Sequence, residues 1–227
     1  MDISKPELAK LLDYALVRPT TTDNEVSKGC EVARRLGVAI VSVMPSHVEL
    51  TASLLKGTDV LTGASIAFPH GNTTTTAKVY ETEDALRRGA QEIDMVMNIS
   101  AFLSGRYDDV QEDIAAVKRV AGPDVMVKVI LEVAYLTAEQ IVKASQLVEA
   151  AGADFVKTST GFAPSGATPE IIRLIRSSVG PRVQVKAAQG IRTYGQAVAL
   201  LEEGATRLGV SSVEAIMKGW DEHHGKT

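Results

Sequence analysis

The sequence predicts an α/β protein: a single (β/α)8 barrel domain over residues 1–227. Three observations predict it. Short runs rich in Val and Ile recur eight times, and each is followed by a helical pattern of Ala, Leu, Glu, Lys and Arg. Strands alternating with helices of that kind imply parallel βαβ units. Eight units in 227 residues is the size of a closed barrel of this type. The third observation excludes the open doubly wound sheet, which carries a phosphate-binding glycine motif after its first strand. Here the first strand runs into Arg18-Pro-Thr-Thr-Thr-Asp23, without a glycine.

The strands are expected at residues 11–16, 38–43, 62–68, 92–97, 125–131, 154–158, 183–186 and 206–210. Four are preceded by a glycine at the end of a helical stretch: Gly37, Gly89, Gly152 and Gly204. Glycine just beyond a helix supplies its left-handed cap, so these positions mark helix-to-strand turns. The threonine run 73–76 reads as a helix start before Ala77. No Pro/Gly/Ser-rich linker divides the chain.

Bulk composition narrows the function. A net charge of −4 and the absence of a Lys/Arg cluster give no reason to expect a nucleic-acid partner. No segment reaches the about 20 apolar residues that span a bilayer. The most apolar stretch, 125–135, is interrupted by Lys128 and Glu132. One cysteine, Cys30, cannot form an internal disulfide, and the first residues lack the apolar core of a signal peptide. A cytoplasmic protein without a membrane partner is expected.

The informative feature is charge within the strands. Asp94, Lys128, Lys157 and Lys186 each stand among apolar neighbours, all expected near the C-terminal ends of strands four to seven. Barrel active sites sit at that end. A buried charge is costly unless paired, so four together point to chemistry rather than to four surface accidents. A lysine attacks a carbonyl only as the neutral amine, and its ordinary pKa of about 10.4 must be lowered for that. Burial and a second cation both push that way. An aspartate can then move the protons of carbinolamine and enamine. Lys157, beside Thr158, Ser159 and Thr160, and Lys186, beside Ala187 and Ala188, are both candidates for the nucleophile on chemistry alone.

An anion site is expected from the loops after strands seven and eight, where barrels often hold phosphate. Gly190 permits close backbone approach, and Ser211 and Ser212 can cap the last helix and offer hydroxyls.

With these residues in place, the sequence resembles the deoxyribose-phosphate aldolases over roughly residues 8–216. The similarity is carried by Phe68-Pro-His-Gly71, Glu92-Ile-Asp-Met-Val96, Ala153-Asp-Phe-Val-Lys-Thr-Ser-Thr-Gly161 with Gly166-Ala-Thr168, and Gly190-Ile-Arg-Thr193. The resemblance implies a class I, cofactor-free aldolase of deoxyribonucleotide catabolism. It would cleave 2-deoxy-D-ribose 5-phosphate reversibly to acetaldehyde and D-glyceraldehyde 3-phosphate. It implies Lys157 as the Schiff-base lysine, Lys186 as the lysine that tunes it, and Asp94 as the proton relay. It further implies substrate contacts from Asp13, Thr158, Thr160, Gly161, Gly190, Ser211 and Ser212, and a homo-oligomer, dimer or higher.

Several positions depart from the family pattern. Tyr14-Ala15 stands where His-Thr is common, Gln189-Gly190 where two glycines are common, and Phe162 where some members place a lysine. A paralogue acting on another phosphosugar or aldehyde is therefore an alternative. Two others are a phosphosugar isomerase or epimerase without a covalent step, which would not need paired lysines, and an inactive barrel that only binds a phosphorylated ligand. A zinc enzyme is disfavoured because His47 and His70 follow different strands and His223 and His224 adjoin near the end. A pyridoxal-phosphate enzyme is disfavoured for want of a partner for the pyridine nitrogen. Gly225-Lys226-Thr227 mimics the end of a phosphate loop, but Trp220 occupies the position of its upstream glycine.

Overall fold

A computed structural model describes residues 2–225. Lys226 and Thr227, part of the phosphate-loop mimic, lie outside them. The elements run α1 (Lys5–Ala9), β1 (Leu12–Leu16), α2 (Asp23–Leu36), β2 (Ile40–Val43), α3 (Val48–Leu55), β3 (Leu61–Ile66), α4 (Thr75–Arg87), β4 (Glu92–Val96), α5 (Ile99–Leu103), α6 (Tyr107–Ala121), β5 (Met126–Ile130), α7 (Ala138–Ala150), β6 (Phe155–Lys157), α8 (Pro169–Ser178), β7 (Gln184–Ala188), α9 (Tyr194–Glu202), β8 (Arg207–Val210) and α10 (Val213–His224). The eight strands pair in chain order, all parallel, and β8 closes on β1 through Leu12↔Leu208. The expected barrel is therefore formed, with two additions: α1 precedes β1, and α5 and α6 both follow β4.

Local chemistry explains the helix boundaries. Thr22 caps α2 and Glu25 reaches back to it, and Thr137 with Gln140 and Thr193 with Gln196 do the same for α7 and α9. Each such reciprocal pair satisfies two amides the first turn leaves open. Thr74 caps α4 within the threonine run. Gly37 ends α2 at φ 69°, as its place in the sequence suggests. Ser212 stands at the start of α10 without a side-chain capping bond, so the cap expected there is not made.

The apolar core lies between strands and helices, where Ile93, Met95, Val127, Val129, Val156, Val185 and Leu208 are fully buried. The barrel interior is different. Because side chains alternate along a strand, one face of β4 carries Glu92 and Asp94 inward, and β5, β6 and β7 send Lys128, Lys157 and Lys186 in to meet them. Small residues make the space. A Cβ on Gly209 would lie 3.2 Å from Lys186 Cε and 3.1 Å from Ala188 Cβ, so glycine there seats the Lys186 stem. Gly63 is equally confined, with Ile40 Cδ1 2.9 Å from a notional Cβ.

Candidate active site

Seven ionisable side chains meet inside the barrel. Asp94 and Lys128 are register partners on β4 and β5, and Lys157 and Lys186 on β6 and β7. Lys157 Nζ donates to Asp94 Oδ2 at 2.5 Å, and Lys186 Nζ to the same oxygen at 2.7 Å. Lys128 Nζ donates to Asp94 Oδ1 at 3.1 Å and to Glu92 Oε2. Lys186 Nζ also lies 2.5 Å from Asp13 Oδ2. Arg207 donates to Asp13 Oδ1 through Nη1 and to Glu92 Oε1 through Nη2, the latter at 2.8 Å. Four cations thus face three carboxylates, an excess of one positive charge.

That arrangement separates the groups electrically. Burial alone would raise the Asp94 carboxyl, but Lys128, Lys157 and Lys186 together hold it well below the usual carboxylate range. Asp13 is treated likewise: burial opposes, and Lys186, Lys128 and Arg207 prevail. Burial pulls Lys157 down, Asp94 resists, and Lys186 and Lys128 add to the pull, leaving the amine at about 8. A lysine at that value carries an appreciable neutral fraction near physiological pH, which is what attack on a carbonyl needs. Lys128, by contrast, is raised: its burial is outweighed by Asp94, Asp13 and Glu92. Lys157 also has the poorest pairing. It meets one carboxylate oxygen, and shares it, whereas Lys186 has two and Lys128 three within 4 Å.

The amine faces a cavity of about 250 Å³ at the C-terminal mouth, with Asp13, Lys157, Lys186, Thr160, Gly161, Gly190 and Ser211 in its wall. The buried hydroxyls of Ser42 and Ser159, without hydrogen-bond partners among the described residues, also lie there. Ala15 presents a methyl where a family hydroxyl is common. In the same wall, Gly190, Ser211, Arg18 and Arg192 provide backbone, hydroxyl and cationic groups suited to an anion. Phe162, 41% exposed, forms a partition: its ring meets Phe68 edge-on at 5.5 Å, and the Arg18 guanidinium lies 4.9 Å from its centroid. Beyond it a wider, largely apolar groove of about 680 Å³ runs past Met44, Leu103 and Tyr135.

Three expected site residues are outside the cavity wall: Asp94, which sits behind it in contact with Lys157 and Lys186, Thr158 and Ser212. Thr158 Oγ1 donates to the Ala188 carbonyl and accepts from the Ala188 amide, both at 3.0 Å, strapping β6 to β7 rather than lining the cavity. Ser212 is likewise not in the wall. Nor are the four strand charges all at strand ends. Only Lys157 ends its strand; Asp94, Lys128 and Lys186 sit at mid-strand. The barrel is deeper in charge than the linear pattern suggests. Gln189, in the cavity wall and in the left-handed region at φ 73°, donates its amide to Ala163 O at 2.6 Å, joining the loops after β6 and β7. Gly166 lies against it: a Cβ there would fall 2.5 Å from Gln189 Cβ.

Glu92, Arg207 and Glu132 were not singled out by the sequence. Glu92 was findable, two residues before Asp94 and hence on the same strand face. Arg207 precedes Gly209 by the same step. Glu132 adopts φ 57° beyond β5, where its carboxylate accepts from Thr160 N at 3.2 Å and from Thr160 Oγ1. Burial lifts its carboxyl above the ordinary value against those two bonds. Among the described residues no His/Cys/Asp/Glu group is arranged to hold a metal ion, and no helix is long and apolar enough to cross a membrane.

Comparison with known proteins follows the same lines. The sequence model of the DeoC/LacD aldolase family matches residues 20–218. A deoxyribose-phosphate aldolase of Thermoanaerobacter sp. is 46% identical over 216 residues, covering 94% of this chain and 97% of that protein. The corresponding protein of Macrococcus caseolyticus is 48% identical over 212 residues, covering 93% and 96%. Among solved structures, the aldolase QR15 superposes with a TM-score of 0.91 at 41% identity, covering 96% of this chain and 98% of its own. The deoxyribose phosphate aldolase of Aeropyrum pernix, described as a tetramer, gives 0.89 at 28% identity, covering 96% and 93%.

Proposed function

The chain belongs to the DeoC/LacD family of aldolases, and from that membership we propose that it cleaves 2-deoxy-D-ribose 5-phosphate, reversibly, into acetaldehyde and D-glyceraldehyde 3-phosphate through an imine on Lys157. The observation that carries the proposal is the Lys157 amine: buried in the cavity wall, sharing one carboxylate oxygen, and lowered to about 8.

In this reading neutral Lys157 attacks C1 of the open-chain sugar. Asp94, a carboxylate in contact with both lysines, passes protons as the carbinolamine loses water. The protonated imine draws electrons from the C2–C3 bond. As the C3 hydroxyl gives up its proton, that bond breaks and D-glyceraldehyde 3-phosphate departs. Protonation of the remaining enamine carbon and hydrolysis release acetaldehyde and restore the amine. Lys186 serves as the second cation that keeps Lys157 deprotonated. The phosphate would lie against Gly190 and Ser211, with Arg18 and Arg192 at the rim, and Asp13, Thr160 and Gly161 would bound the sugar. A homo-oligomer is part of the proposal, supported by the tetrameric relative; sedimentation of the purified chain tests it.

Borohydride reduction in the presence of the sugar phosphate tests the chemistry. A reduced adduct on Lys157, located by mass spectrometry, is expected. An adduct on Lys186 would exchange the two lysines' roles. Absence of any adduct in folded protein, with the sugar phosphate or with acetaldehyde, would overturn the covalent mechanism and favour a non-covalent phosphosugar enzyme.

A further inference from the structure

Arg207 and Glu92 touch the buried cluster but not the cavity. Their place in it explains why Lys157, of the four cations, is the one left without a carboxylate of its own. Arg207 takes one oxygen of Asp13 and one of Glu92. The remaining oxygen of Asp13 holds Lys186, and that of Glu92 holds Lys128. Neither lysine is fully neutralised by half a carboxylate, so each also leans on Asp94. Asp94 is then divided among three ammonium groups. A cluster removed from water tends toward balanced charge, and its surplus proton leaves where pairing is poorest.

We infer that Arg207 and Glu92 are positioning residues for the lysine chemistry: together they fix the buried cluster at one cation too many, and the surplus is discharged by loss of the proton from Lys157. The inference rests on the reading of Lys157 as the reacting amine. The other groups facing Lys157 are Asp94 from β4, Lys128 from β5, Lys186 from β7 and, beyond β5, Glu132. Glu132 acts on Lys157 only through space and is not one of the ion-paired groups. Thr160 occupies its carboxylate, and among the described residues no cation of the cluster lies within 4 Å of it.

Charge counting makes opposite demands of the two residues, which a merely structural role does not. Arg207→Met removes the surplus, so Lys157 should hold its proton to higher pH. Glu92→Gln enlarges the surplus, so Lys157 should lose its proton at lower pH. The double variant restores the original excess, now with three lysines facing two aspartates, and should return Lys157 to its starting value. Arg207→Lys keeps the charge and should keep the value.

Competitive labelling with dinitrofluorobenzene across a pH series, read at Lys157 by mass spectrometry on intact folded protein, measures this without substrate. The expected result is an upward shift of about one pH unit or more for Arg207→Met, a downward shift for Glu92→Gln, and recovery in the double variant. An unshifted Arg207→Met, shifts of the same sign in both single variants, or a double variant displaced as far as Arg207→Met would each overturn the inference. Should Arg207→Met fail to fold, by circular dichroism, the Glu92→Gln and double variants still decide it. The reagent reads an amine and not a sugar, so failure of the proposed aldol chemistry shows separately, as a missing borohydride adduct in the unsubstituted protein.

Discussion

Two buried lysines in this protein have opposite fates. Lys78 on α4 lies behind the barrel, wholly out of solvent, with its ammonium on Asp113 Oδ2 at 2.5 Å and on the Val96 carbonyl at 2.9 Å. Asp113 is completed by Thr75 Oγ1 at 2.8 Å. Lys157 is nearly as buried, at 7% exposure, yet it shares a single carboxylate oxygen with Lys186 and opens on a cavity. Burial lowers both amines. What differs is the company: one cation to one carboxylate at Lys78, a surplus of cations at Lys157. Burial makes a lysine uncomfortable, and unbalanced pairing in reach of substrate makes it useful.

Substitution can break this contrast at either end. The largest effect is expected from Lys157→Met, which should remove the borohydride adduct and lower cleavage of the sugar phosphate by on the order of 10⁴-fold, read from initial rates. Next, Lys78→Met strands the Asp113 carboxylate and should cost about 3–5 kcal/mol in urea unfolding, while the folded protein still forms its imine over the same pH range. The two methionine variants should then diverge in stability. Lys157 has a folded pKa of about 8, below the ordinary lysine value. Its protonation therefore opposes folding fully below about pH 8, and that opposition fades as pH rises toward about 10.4. At neutral pH, Lys157→Met should accordingly raise the unfolding free energy, by on the order of 1–3 kcal/mol, where Lys78→Met lowers it. The smallest effect sharpens the contrast from inside the cluster. Lys186→Leu takes away a cation and gives Lys157 more of Asp94, so the pH profile of imine formation should move upward by about one unit.

Much of this architecture could be read in one sequence, because apolar runs and glycine-ended helices are local signals. All eight expected strands are present, displaced by a residue or two at their ends. Strand ends answer to partners that a linear pattern does not reveal. Strand β7 continues through Ala188 because Gly209 pairs with it, and β6 stops at Lys157 as Thr158 ties itself across to Ala188. The same limit governs the site. Lys157, Lys186, Lys128 and Asp94 stand out as charges among apolar neighbours. Arg207 and Glu92 sit at strand starts, beside polar residues, where a charge is unremarkable until the barrel closes around it. Glu132 carries no pattern at all; its left-handed turn and its bonds to Thr160 exist only in three dimensions. Phosphate and sugar contacts are hardest to foresee: Thr158 bonds across to Ala188, and neither it nor Ser212 lines the cavity.

The bridge between Gln189 and the loop carrying Gly166 bears on how this mouth can be altered. Gln189 donates to Ala163, and Gly166 has no room for a methyl beside it. The two loops therefore pack as a unit. A side chain placed at 166 would collide with the Cβ and the backbone carbonyl of Gln189, so shortening Gln189 would not make room for it, and would leave the Ala163 carbonyl without that donor. Reshaping the anion end for a different acceptor has to leave Gly166 in place, or shift the backbones of both loops together, and is easier from wall positions outside the bridge such as Ser211.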